Sequence, residues 1–178
     1  MNVFVLCTGR CGSVTFAKAA NHADNFTVGH ESRIGMMGER RLDYPDNHIE
    51  IDNRLSWFLG RLHERYPDAF YVHLRRDLET TALSFAKRFN PGQIMPAYLT
   101  GIYQGIERIG VYDVALDYCE TVTANIRAFL KYQPSRVTVD LESAKEGFRR
   151  FWKVAGLEGD LESALETWDV KHNASVAA

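Results

Sequence analysis

No sign of charge dominates this sequence. Over 178 residues, 21 Lys and Arg stand against 23 Asp and Glu, a formal net charge of -2. There is therefore no global basic field to draw nucleic acid or a membrane surface, and any anion site must be local. Long apolar runs are missing too. The first, Val3 to Cys7, stops at Thr8-Gly9-Arg10 with no basic segment before it, which is too short for a signal h-region or a membrane span. The expectation is a cytoplasmic chain. Cysteine is scarce: Cys7, Cys11 and Cys119 are odd in number and lack metal-type spacing. No cluster of Asp, Glu and His calls for a metal, and there is no repeat or low-complexity segment. The sequons at Asn25 and Asn173 mean little in a cytoplasmic chain.

What is present is ordinary globular composition, 46% hydrophobic and 25% charged, enough for a real core in one domain over residues 1–178. Strand and helix patterns alternate, which predicts an α/β fold with a parallel β-sheet flanked by helices. Strands are expected at 3–7, 26–29, 48–51, 69–74 and 136–139. Helices are expected at 13–21, 54–65, 78–89 with Asp77 as N-cap, 114–132 and 142–155. Leu116, Cys119, Val122, Ile126, Phe148, Phe151 and Trp152 read as core. Residues 91–113 are punctuated by Pro91, Gly92, Pro96, Gly101, Gly105 and Gly110, with Tyr98, Tyr103 and Tyr112 between. They read either as a packed irregular connection or as a substrate-side flap.

The most informative stretch is the opening. An apolar strand runs into Thr8-Gly9-Arg10-Cys11-Gly12-Ser13-Val14-Thr15, and a helical pattern follows. Glycines let backbone N–H groups turn inward, and the next helix points its positive end at an anion. The loop is not a Walker motif, because the cation, Arg10, precedes the second glycine. Cys11 lies inside it, where a helix N-terminus and Arg10 would lower a thiol pKa. A second anion signal lies at Leu74-Arg75-Arg76-Asp77, where another apolar strand ends in a basic pair. Ser84 follows Arg76 by eight residues, with Lys87 and Arg88 a turn further. An arginine at a strand end and a hydroxyl on the next helix can grip one phosphate together. Paired with the first loop, this suggests one ligand with two separated phosphates.

With those motifs in view, the sequence resembles the sulfotransferases that use 3′-phosphoadenosine 5′-phosphosulfate (PAPS), whose fold is a P-loop NTPase-like three-layer sandwich. Thr8 to Thr15 resembles their 5′-phosphosulfate loop, and Arg76 with Ser84 their 3′-phosphate site. Tyr66-Pro67-Asp68-Ala69-Phe70 through Asp77 is similar to a common family phrase. Arg136 to Glu142 and Phe151 to Leu157 look like further family segments in the right order. The motifs are closest to the tyrosylprotein sulfotransferase type, because Gly29-His30-Glu31-Ser32-Arg33 lies where that type carries Gly-Glu-Glu-Thr-Arg. The resemblance implies that Glu31 is the general base and that Arg33 lines the same site. Transfer to a hydroxyl independently requires a group to take the proton. The alternative for Glu31 is a salt-bridged loop acid. His30 reads as a structural hydrogen-bonder, with a base role as its alternative.

Departures from the family pattern are specific. Cys11 replaces a serine and Val14 a threonine, leaving Ser13 and Thr15 to supply hydroxyls. No Arg-Lys-Gly loop is present near the C-terminus; Lys171-His172-Asn173 either takes its place or is only a tail. The lysine of the tyrosylprotein type has no clear counterpart; Asn53 and Arg54 are the nearest polar residues, and Asn53 is expected, with Arg33, on the substrate side. The implied chemistry is sulfuryl transfer from PAPS to a hydroxyl acceptor, with no metal required. Arg10 and the N–H groups of Cys11, Gly12, Ser13 and Val14 would hold the phosphosulfate. The alternatives are a P-loop-type small-molecule kinase and a non-catalytic nucleotide-binding module.

Overall fold

A computed structural model describes residues 1–90, 93–105 and 109–170. Its centre is a parallel sheet of five strands among the described residues: β1 (Val3–Leu6), β2 (Thr27–His30), β3 (His48–Ile51), β4 (Phe70–Arg75) and β5 (Arg136–Asp140), in the order β2-β3-β1-β4-β5. Register is set by β1, where Val3 lies opposite Ile49 on one side and Phe70 on the other. From β1 the chain builds β2 and β3 on one flank and then crosses to β4 and β5 on the other. The carboxyl end of β1 is thus the switch point at which ligand crevices open in such sheets.

Strand alternation divides the core into two layers. Val3 and Val5 face α1 (Ser13–Ala20), α6 (Ala144–Val154) and α7 (Leu161–Glu166), where Phe16, Phe148, Phe151 and Trp152 pack together. Phe4 and Leu6 face the opposite layer, made by α2 (Leu59–Arg65), α3 (Leu78–Ala86), α4 (Ile94–Gly101) and α5 (Val111–Leu130). The apolar stripe of α5, from Val114 through Tyr118 and Val122 to Ile126, lies buried against that face. The arrangement is the expected helix–sheet–helix sandwich. No described helix is long and apolar enough to cross a membrane.

The departures from expectation have local causes. The helix expected over 54–65 is two pieces, a 3₁₀ turn at Asn53–Trp57 and then α2. The break is at Phe58, whose φ of -123° and ψ of 18° lie outside the helical range. The segment 91–113 contains a helix, α4, which tolerates Pro96 because it sits at the third helical position, where its missing N–H would have no intrahelical partner in any case. Helix α5 begins at Val111, after Gly110. Helix α7 was not foreseen. Asp160 caps it, accepting from the Ser163 amide at 3.0 Å and its hydroxyl at 2.6 Å. The Lys171-His172-Asn173 segment lies outside the described residues.

His73 on β4 is buried beneath the carboxyl edge. It lines a cleft of about 320 Å³ with Arg75, Arg127, Thr123 and Asp140. Burial, reinforced by Arg75 and Arg127 against the opposing pull of Asp140, lowers its pKa to about 4 from an ordinary 6.5. The unfolded chain therefore binds a proton here that the folded chain refuses between those pH values, so stability falls as pH drops through that window. The loss approaches about 3 kcal/mol below pH 4. Urea unfolding at pH 7.5 and pH 4.5 should show this acid sensitivity, and His73→Gln should reduce it.

Candidate active site

The turn after β1 uses backbone conformations that only a few residues accept easily. Gly9 and Gly12 have φ of +88° and +89°, and Arg10 between them sits at +57°. Such consecutive left-handed residues curl N–H groups toward one point. Helix α1 starts immediately afterwards with no side-chain cap and no acid in its first turn, so its N-terminal amides and dipole face the same concavity. A side chain at Gly12 would come within 2.7 Å of Leu141 Cδ1, so that position is closed by packing as well as by φ.

Behind the turn stands a brace. The Thr8 carbonyl accepts from the Tyr118 hydroxyl at 3.0 Å and from Asn53 Nδ2 at 3.3 Å. Asn53 was expected on the acceptor side; instead it is buried against the back of the loop. Its own 3₁₀ turn is capped by Asp52, which accepts from the Arg54 amide at 2.8 Å and is ion-paired with buried Arg41 at 2.5 Å. Tyr118 could not be foreseen, since in sequence it is one more aromatic on the α5 stripe.

In front of the turn the two predicted anion motifs come together. Arg10 Nε donates to Ser84 Oγ at 3.1 Å, and Arg76 Nη1 donates to the Arg10 carbonyl at 3.1 Å. Burial, then the neighbouring Arg88 and Arg76, depress the Arg10 pKa. The adjacent Arg75 does not join them. Strand alternation turns it onto Asp140, with bonds of 2.8 and 3.0 Å. Cys11, expected as a loop thiol, is fully buried. It and Cys7 share a hydrogen bond that lowers the Cys11 thiol and, with burial, raises that of Cys7. Burial, reinforced by Cys11 and Glu120, raises the Cys119 thiol to about 12. Ser13 and Val14 are partly exposed at the start of α1, whereas Thr15 is buried.

On the β2 side, His30 Nε2 lies 3.1 Å from Ser13 Oγ, joining the end of β2 to the start of α1. Glu31 follows in a left-handed conformation, φ +53°, with its amide bonded to the Ile51 carbonyl at 3.0 Å. Its carboxyl pairs with Arg54 at 3.2 Å and remains about one-third exposed. Arg33 lies two residues on, its Nη1 3.4 Å from Met36 Sδ and its guanidinium 6.0 Å from the Tyr44 ring centre. The sequence reading passed over Glu50, a lone acid inside the buried strand β3, which underlies this turn; that anomaly of composition was its only signal.

The sequence matches no family model, and no curated protein matches it. Among solved structures, a sulfotransferase domain from the curacin biosynthetic pathway is similar with a TM-score of 0.66 at 13% identity. The match covers 92% of this chain and 75% of that one. The mouse sulfotransferase SULT7A1, complexed with PAP, is similar with a TM-score of 0.57 at 12% identity; the match covers 94% of this chain and 63% of that one. The chain therefore has the P-loop-like α/β fold that these two sulfotransferases share.

Proposed function

We propose that this chain is a sulfotransferase that moves a sulfuryl group from PAPS to a hydroxyl-bearing acceptor. The observation that carries the reading is the junction of two motifs distant in sequence: Arg10 bonded to Ser84, and Arg76 bonded to the Arg10 carbonyl. The left-handed turn and the uncapped helix suit a 5′-phosphosulfate. Arg76 and Ser84 suit a 3′-phosphate, the group that distinguishes PAPS from ATP. Arg10 lies between the two sites, where charge grows on the leaving oxygen. The fold shared with two sulfotransferases, one of them complexed with PAP, supports the same reading.

Sulfuryl transfer asks mainly for alignment and charge stabilisation. The acceptor oxygen attacks sulfur, and the bond from sulfur to the bridging phosphate oxygen breaks. Arg10, Ser13 and the N–H groups of Cys11, Gly12, Ser13 and Val14 stabilise the bisphosphate that leaves. Glu31 takes the acceptor proton, oriented by Arg54 and with enough exposure to meet a substrate. His30 holds Ser13 in place and joins the two halves of the site. Arg33, near the exposed rim, is assigned to the acceptor side. The tyrosylprotein-like Glu31 motif bears on the chemistry and leaves the acceptor open among sugar, lipid, phenol and peptide hydroxyls.

Radiolabelled transfer from PAPS into a metabolite extract tests the activity. Glu31→Gln should reduce the rate by about 100-fold or more, while the dissociation constant for 3′,5′-adenosine bisphosphate, measured by calorimetry, stays within about twofold. Near-normal turnover in that variant would remove Glu31 from the role. Arg76→Ala should weaken the bisphosphate about 10- to 100-fold, the value of a charge-assisted hydrogen-bonded contact. It should weaken adenosine 5′-monophosphate much less. Equal losses for both nucleotides would mean that Arg76 serves only the loop, and tighter binding of ATP than of the bisphosphate would favour a kinase.

A further inference from the structure

We propose that Glu50 is a positioning residue that sets the conformation of Glu31, an inference that rests on the reading of Glu31 as general base. Glu50 lies on β3, opposite Gly29 of β2 and Phe4 of β1, and its side chain is fully buried. An acid so placed is costly unless each oxygen finds a donor. Both do, and they find donors on the residue after Glu31. The Ser32 amide donates to Oε1 at 2.8 Å, and the Ser32 hydroxyl donates to Oε2 at 2.6 Å. His48 Nε2 lies 3.0 Å from Oε2, its Nδ1 lies 2.8 Å from Thr27 Oγ1, and the Tyr44 ring stacks on it at 5.4 Å.

The consequence falls on Glu31. A non-glycine residue at φ +53° is in a conformation that the backbone disfavours, and it persists only where the surroundings over-determine it. Here the peptide groups on both sides of Glu31 are tied down. Its own N–H is held by the Ile51 carbonyl, and the next N–H by Glu50. With the backbone fixed at both ends, the carboxyl is aimed across the site to Arg54. Gly29 belongs to the same device, because a Cβ there would overlap Glu50 Oε2. A four-residue strand does not need a buried acid in order to pair; the turn that carries the candidate base does.

The test uses Glu50→Ala, the conservative Glu50→Gln, and Ser32→Ala, which leaves the strand interior intact should the first variant fail to fold. Amide exchange at Ser32 should quicken about tenfold in Ser32→Ala and in Glu50→Ala, matching the loss of one buried hydrogen bond. In both variants kcat should fall about 10- to 100-fold, the cost of a misplaced group. Bisphosphate affinity should stay within about twofold of wild type, and Glu50→Gln should recover most of kcat. In a Glu31→Gln background, Ser32→Ala should cost nothing more. Wild-type kcat in Ser32→Ala and Glu50→Ala would overturn the proposal, as would kcat and nucleotide affinity falling in parallel. If the wild-type chain transfers no sulfuryl group from PAPS, the reaction reading fails instead; the exchange at Ser32 then decides alone whether Glu50 holds the turn, and unchanged exchange refutes it.

Discussion

The site depends on one constrained turn, Thr8 to Gly12, held at the carboxyl end of the central strand. Gly9 and Gly12 take left-handed conformations without steric cost, but Arg10 between them runs against ordinary backbone preference, so the turn needs support from outside itself. Tyr118 and Asn53 grip the Thr8 carbonyl from behind, Arg76 grips the Arg10 carbonyl from in front, and Leu141 closes the space beside Gly12. These supports come from α5, from the 3₁₀ turn after β3, and from the ends of β4 and β5. The loop is local in sequence, but its geometry is a property of the whole sheet edge.

Charge follows the same economy. A chain with net charge -2 sorts its arginines among separate places on the sheet edge. Arg75 and Arg76 are neighbours, yet alternation sends the first to Asp140 and the second to the loop. Arg41 is consumed by Asp52 inside the core and Arg54 by Glu31 at the rim. Arg10 lies near Arg76 and Arg88, and burial first, then these two cations, depress the Arg10 pKa. An anion bound beside them would offset the repulsion between these cations.

Much of this was legible in the sequence. The glycine spacing around Arg10 announced the turn, strand periodicity placed β1 and β4, and the interval from Arg76, just before α3, to Ser84, about two helical turns into it, marked the second motif. These signals are local, and local signals survive in a sequence. What could not be read depends on partners far along the chain. Asn53 looked like a substrate-side polar group, but its orientation is decided by Tyr118 and Thr8. The break at Phe58 and the folding of residues 94–101 into a helix are set by packing against α5 and the 3₁₀ turn. Glu50 was visible as an acid in an apolar strand, yet its role emerges only when β2 lies beside it and brings Ser32 within reach.

A crystal structure of the chain with 3′,5′-adenosine bisphosphate tests the account most directly. The account predicts the 5′-phosphate against the amides of Cys11 to Val14 with Arg10 beside it, and the 3′-phosphate between Arg76 and Ser84. It also predicts that Glu31 faces the open space next to the 5′-phosphate. A bisphosphate bound elsewhere, or bound in the turn with its 3′-phosphate away from Arg76 and Ser84, would contradict it.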